Sequence, residues 1–170
     1  YAEVFLNGFD EQVVKNEIIR LNSIPAKNGW LYKHYSGNHL RKVRGQPSPQ
    51  WRPRAFKGFN ASTLDAVFDD IHSMPSSNEK NALLFSAVIA MNKVFNGTND
   101  QKSSLANWTV ASHRPVELKM PTNIKGITGT VENCDIFDSK NTQTDVVYLD
   151  PPYTTGVLYD ACYHLNDSVV

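Results

Sequence analysis

Asp150-Pro151-Pro152-Tyr153 is the segment whose residue types and order could do chemistry. An exocyclic amino group on a nucleobase is a poor nucleophile, because its lone pair is delocalised into the ring. Two acceptors placed on its N–H groups draw the nitrogen toward tetrahedral geometry and localise that pair. The Asp150 carboxylate and a backbone carbonyl such as that of Pro151 could supply them. Two successive prolines fix φ and remove backbone donors that would compete. Tyr153 can stack on a base rotated out of a duplex, as enzymes that act on bases require. At average composition the tetrapeptide arises by chance in roughly one chain of this length per thousand, so it is specific by itself. The plainer alternative is a turn after a strand, since Asp-Pro and Pro-Pro are common turn chemistry.

The elements around the tetrapeptide must hold it. Asp145-Val146-Val147-Tyr148-Leu149 runs directly into it and reads as a buried strand, β-branched and almost wholly apolar. Ligands of open α/β sheets bind at the carboxyl ends of such strands. Gly129-Thr130-Val131 leads to a second short strand that ends near Asp135. Upstream, the spacing of Val4, Phe5, Val13, Val14, Ile18 and Leu21 predicts a helix over the first 24 residues, closed by Pro25, with a break at Gly8. Asn28-Gly29 makes a turn before the aromatic run Trp30-Leu31-Tyr32-Lys33-His34-Tyr35. Gly37, Gly45, Pro47, Pro49, Pro53 and Gly58 argue against a long regular element over 36–60. Ser62 with Asp65 resembles a capping box, followed by Leu64, Val67, Phe68, Ile71 and Met74 at helical spacing up to Pro75. A second helix starts at Ser77 or Asn78, buries Leu83, Leu84, Ala87, Val88, Met91, Val94 and Phe95, and ends at Asn96-Gly97. Residues 97–129 read as irregular, with an apolar patch near Leu105 and Trp108.

Charge is segregated along the chain. The 170 residues carry 17 basic and 17 acidic side chains, a net of zero. No acid lies between Glu17 and Asp65, and that stretch holds Arg20, Lys27, Lys33, Arg41, Lys42, Arg44, Arg52, Arg54 and Lys57, a net of +9; the remaining 8 basic and 17 acidic residues give −9. Such asymmetry points to a polyanion partner. Lys33, Arg41, Lys42, Arg44, Arg52, Arg54 and Lys57 are the candidate phosphate contacts, interleaved with Trp30, Tyr32, Tyr35, Trp51, Phe56 and Phe59. A merely solvated basic face is the alternative. Cys134 and Cys162 make no disulfide framework, and no Cys/His spacing fits a metal, so none is expected; His34 and His39 lack ligand partners at suitable spacing. No run of 18 apolar residues exists, which excludes a transmembrane helix. No basic stretch followed by an apolar one opens the chain, and the expected setting is reduced, intracellular and cytoplasmic.

Asp150-Pro151-Pro152-Tyr153 is similar to the catalytic motif of amino-directed nucleic-acid methyltransferases. Downstream, Tyr159, Tyr163, His164 and Leu165 resemble the Tyr and Tyr-His-Leu positions of Dam-like adenine-N6 DNA methyltransferases. Upstream, Gly29 through Ser36 resembles a glycine, aromatic, aromatic, Tyr-Ser segment of that group. Trp51 through Phe56, Asn60 and Asp65 to Ile71 resembles its next block, and Leu83-Leu84, Val94, Trp108 and Pro115 continue in order. Thr154 stands where members often have Asn, and the connection from Tyr153 to Tyr159 is slightly longer than usual.

The resemblance implies an α/β fold, part of a Rossmann-like S-adenosylmethionine-dependent methyltransferase with a helical and loop target-recognition insertion. It implies a catalytic-domain helix over 1–24, a basic and helical target-recognition region over 25–128, and catalytic-domain strands with the motif over 129–170. Asp150, Pro151, Pro152 and Tyr153 would be catalytic. Asp135, Ile136 and Asp150 would border S-adenosylmethionine, with a surface carboxylate the alternative for Asp135. Double-stranded DNA would be the partner. The nine glycines include no G-x-G, the family's cofactor loop, so the chain reads as the interior of a larger enzyme, with the remainder upstream or in another chain. An RNA or other amino-group methyltransferase, or a nucleic-acid-binding module without activity, are the alternatives.

Overall fold

The computed structural model describes residues 8–37, 55–97, 101, 104–122, 129–132, 134–138, 145–149 and 159–170. Five α-helices occur among them: α1 (Glu11–Leu21), α2 (Trp30–Tyr35), α3 (Gly58–Ser73), α4 (Asn78–Val94) and α5 (Tyr159–Val169). One-turn 3-10 helices lie at Ala111–His113 and Ile136–Asp138.

The α3–α4 hairpin is the centre of the core. On α3, Ala61, Leu64, Val67, Phe68 and Ile71 are buried, and on α4 Leu83, Ala87, Val88, Met91 and Val94. Burial runs around most of both helices, because α1, α2, α5 and the segment 105–122 cover their outer faces. Met74 takes an extended backbone before Pro75, as the residue before proline must, and this ends α3. Ser77 caps α4, its Oγ accepting from the Lys80 N–H at 3.1 Å. In α1, Val14, Ile18 and Leu21 form the buried stripe, and Asp10 caps it by accepting from Gln12 and Val13 N–H groups. Gly8, at φ 68°, breaks the chain ahead of α1 where the sequence predicts a break. Val4 and Phe5 lie outside the described residues.

Two expectations are corrected. First, the described residues are helical and contain no sheet, so the predicted α/β, Rossmann-like fold is not what they form. Residues 145–149 have no strand, and Val146, Val147, Tyr148 and Leu149 are 83%, 67%, 85% and 69% exposed. Residues 129–132 are also irregular and exposed. A β-branched apolar run needs neighbouring strands to bond its backbone and layers to cover its faces. Among the described residues, β pairing is limited to the isolated bridges Ser36–Phe56 and Gly97–Ser104. Second, α3 starts at Gly58 rather than Ser62. Ser62 bonds back to the Gly58 carbonyl at 3.0 Å, and Asp65 serves a different helix.

Buried amides sew the irregular segment onto this core. Asn60, fully buried, donates to the carbonyls of Ser112 and Arg114 and accepts from the Val116 N–H. Asn22 pairs with both backbone groups of Leu118, and Ser86 Oγ donates to the Lys119 carbonyl at 2.7 Å. Each satisfies backbone groups that would otherwise be buried without partners.

Arg20 joins α1 to α3. Its guanidinium meets the Asp70 carboxylate through two contacts, 2.9 and 2.5 Å, and holds Glu17 at 2.8 Å. The hydrogen bond from Arg20 pulls the Asp70 carboxyl below its ordinary range, and the same bond raises Arg20. A depressed carboxyl pKa contributes stability above the unfolded value, near pH 4, that is lost as pH falls through the lower folded value. Thermal unfolding followed from pH 5 downward should therefore show Tm falling below about pH 4, and less steeply in Asp70→Asn. Equal slopes in both proteins would show that the pair contributes nothing.

Candidate nucleic-acid interface

Six residues, Trp30–Tyr35, form α2, and nothing in its own sequence caps it. Gly29 occupies the N-cap position and offers no side chain. The orphan N–H groups of a helix start need acceptors, and Asp65 of α3 provides them. Its Oδ1 accepts from Leu31 at 2.8 Å, and its Oδ2 from Gly29 at 2.8 Å and Tyr32 at 2.9 Å. Asp65 is 6% exposed. A Cβ on Gly29 would lie 2.8 Å from Asp65 Cγ, so the close approach requires glycine. A negative charge at the positive end of α2 is favourable as well.

α2 leads into the root of the basic loop. The Phe56 N–H donates to the Tyr35 carbonyl and the Gly37 N–H to the Phe56 carbonyl, both at 3.0 Å. This parallel bridge pairs Ser36 with Phe56, and both are buried. The Asn96 N–H donates to the Ala55 carbonyl at 2.7 Å, and Phe56 meets the edge of Phe95. Ser36 and Phe56 are thus fixed side by side, close to the two residues that flank 38–54. Trp108 covers this root; a Cβ on Gly37 would stand 2.3 Å from its Cζ2. Lys57 Nζ lies 4.4 Å from the Trp108 ring centroid, a cation–π contact.

The predicted contact residues divide accordingly. Lys33 is exposed in the last turn of α2, and Lys57 stands just before α3 at the loop root. Arg41, Lys42, Arg44, Arg52 and Arg54 lie outside the described residues, as does His39. Two other cations of the acid-free stretch are neutralised locally: Arg20 by Asp70 and Glu17, and Lys27 by Asp69. Of the described cations in that stretch, Lys33 and Lys57 take no part in those ion pairs.

Asp150, Pro151, Pro152 and Tyr153 also lie outside the described residues. Asp135 is exposed, and its Oδ1 accepts from the Phe137 N–H at 2.9 Å, capping the turn at Ile136–Asp138. Phe137 beside it is 95% exposed. Of the expected cofactor-facing set Asp135, Ile136 and Asp150, the last lies outside the described residues. No group of three metal-ligating side chains occurs among the described residues, and none of their helices is long and apolar enough to cross a membrane.

A model of the family described as "D12 class N6 adenine-specific DNA methyltransferase" matches residues 15–166. The chain belongs to this family. The match spans α1 to α5 and includes both the basic loop and the tetrapeptide. The family is one of enzymes, with DNA as substrate and the adenine amino group as target. Comparison with curated proteins and with solved structures gives no significant match.

Sequence reasoning missed the role of Asp65 in this methyltransferase. The available signal was Gly29, a helix start without a capping side chain, whose N–H groups had to find an acceptor elsewhere. Asp65→Ala would leave three N–H groups, one buried and two partly buried, without that acceptor, and should lower unfolding stability by about 3 kcal/mol in urea titrations. Asp65→Asn, which keeps an acceptor oxygen, should lose less. A loss under about 0.5 kcal/mol in Asp65→Ala would refute the capping role.

Proposed function

We propose that this chain contributes the target-holding region and the catalytic tetrapeptide of an S-adenosylmethionine-dependent enzyme that methylates the N6 amino group of adenine in double-stranded DNA. One observation carries the reading: the family match over 15–166 contains Asp150-Pro151-Pro152-Tyr153, a motif whose chemistry suits an aromatic amino group.

Each residue has a distinct task in this reading. Asp150, with the carbonyl of Pro151, accepts from the two N–H groups of the target amine and localises its lone pair. Pro151 and Pro152 hold that acceptor pair in a fixed direction. Tyr153 stacks on the adenine once it has left the duplex. S-adenosylmethionine, when bound, supplies a methyl group made electrophilic by the attached sulfonium. As the nitrogen–carbon bond forms, the carbon–sulfur bond would break and the donor would leave as a neutral thioether; the nitrogen, now positive, would release one proton through its hydrogen bond to Asp150.

Lys33, Arg41, Lys42, Arg44, Arg52, Arg54 and Lys57 hold the phosphate backbone. Contacts of this kind fix position without reading sequence. Residues 25–128 form the recognition region, and 1–24 and 129–170 belong to the catalytic part. The helical core supports this division through the loop root, where α2, α3 and Trp108 converge on Gly37. Asp135, Ile136 and Asp150 as neighbours of the methyl donor rest on the family's chemistry alone. Because the sequence holds no G-x-G, the same reading has these 170 residues inactive without such a loop.

In the enzyme that carries this sequence together with a Gly-rich loop, Asp150→Ala should reduce methyl transfer at least a thousandfold while DNA affinity stays within about twofold. Transfer of labelled methyl groups into duplex DNA, with adenine analysed as the nucleoside, is the assay. Full activity in that variant would overturn the assignment.

A further inference from the structure

Gln101 is 6% exposed and makes five hydrogen bonds, four of them to α5. Its side-chain Oε1 accepts from the N–H groups of Leu165 and Asn166 at 3.0 and 3.1 Å. Its Nε2 donates to Asn166 Oδ1 at 2.7 Å and to Asn92 Oδ1 on α4 at 2.8 Å. Its backbone N–H donates to the Cys162 carbonyl at 2.7 Å. Cys162 C=O and Asn166 N–H are the two groups of one rung in a regular helical ladder, so Gln101 grips α5 at a rung from both sides. Every donor and acceptor of its amide is used, and α4 is tied in through Asn92.

α5 is anchored elsewhere too. His72 Nε2 on α3 lies 3.0 Å from the Val169 carbonyl, and Leu165 is 1% exposed in the core. The rings of Tyr35 and His164 are 5.9 Å apart, and the Tyr35 carbonyl is part of the loop root. In sequence, α5 begins six positions after Tyr153. One helix thus follows the tetrapeptide in sequence and packs on α3 and α4, and Gln101 supplies four of its hydrogen bonds.

We infer that Gln101 is a positioning residue for methyl transfer: it fixes to α4 the helix that begins six positions after Tyr153 in sequence, and that anchorage supports the tetrapeptide during turnover. The inference rests on the proposed role of Asp150 through Tyr153. Gln101 touches neither DNA nor the reacting atoms. Its loss should alter turnover rather than DNA affinity, because the loop root depends on Asp65, Phe56 and Trp108 instead.

Two measurements test this. In the 170-residue chain, Gln101→Ala should speed amide exchange at Leu165 and Asn166 by about tenfold, with Val67 and Leu83 unchanged. Gln101→Glu keeps the acceptor for both N–H groups but loses the two donors, and its exchange should fall between the two. In the enzyme with its Gly-rich loop, Gln101→Ala should lower kcat by about tenfold, with KM for DNA within about twofold and Gln101→Glu partly rescuing. Unchanged exchange at Leu165 and Asn166 would overturn the attachment. Faster exchange with unchanged kcat, or a rise in KM alone, would overturn the positioning role. Normal transfer by Asp150→Ala would overturn the tetrapeptide reading, and this inference with it; the exchange result then shows whether the attachment itself was right.

Discussion

A buried carboxylate on one helix serves as the cap of another, and much of the molecule depends on that arrangement. Asp65 sits within α3, in the core, and its two oxygens hold the N–H groups of Gly29, Leu31 and Tyr32. α2 is too short to be stable by itself, and its start lacks any capping side chain of its own. It is a helix because α3 makes it one. The direction of α2 then sets Tyr35 and Ser36 against Phe56, and from that bridge the basic loop departs.

Ion pairs made by α3 also neutralise part of the charge in a chain whose net charge is zero. Folding neutralises Arg20 and Lys27 against Asp70 and Asp69, acids that come from α3. Acids of α3 and bases of the preceding stretch thus bind α1 and the turn before α2 to the core. Among the described residues of the acid-free stretch, Lys33 on α2 and Lys57 just before α3 stand outside these ion pairs. Trp108 presses on Gly37 at the loop root and leaves its Nε1 buried without a hydrogen-bond partner among the described residues. That is a cost of order 1–3 kcal/mol, which the apolar contacts of the ring must offset.

Local rules were legible in the sequence, and pairings between distant residues were not. Val14, Ile18 and Leu21 at helical spacing, the stop at Pro75, the helix start at Ser77 or Asn78 and the break at Gly8 each follow from a few neighbouring residues, and each is seen. The capping-box reading of Ser62 and Asp65 failed because the pattern has two uses, and only a partner 36 positions away decides between them. The aromatic run 30–35 gave no helix signal, since its helicity comes from Asp65. Residues 145–149 carried a strong strand signal, yet strand formation is a property of pairs of segments, and no pairing partner is present among the described residues. The tetrapeptide was legible by residue type alone, and the family match over 15–166 agrees with the resemblance it raised. Gln101 was invisible, and Asn60 stood out only through the family resemblance, because a buried amide looks like any surface amide until its partners are known.

Salt dependence of DNA affinity tests the central claim most directly: that the helical core holds a phosphate-binding loop by its root. For the 170-residue chain, log affinity for duplex DNA should fall linearly with log salt, with a slope corresponding to roughly five to seven phosphates. Replacing Arg41, Lys42 and Arg44 by alanine should reduce that slope by about three. An affinity indifferent to salt, or a slope unchanged by the three substitutions, would contradict the account.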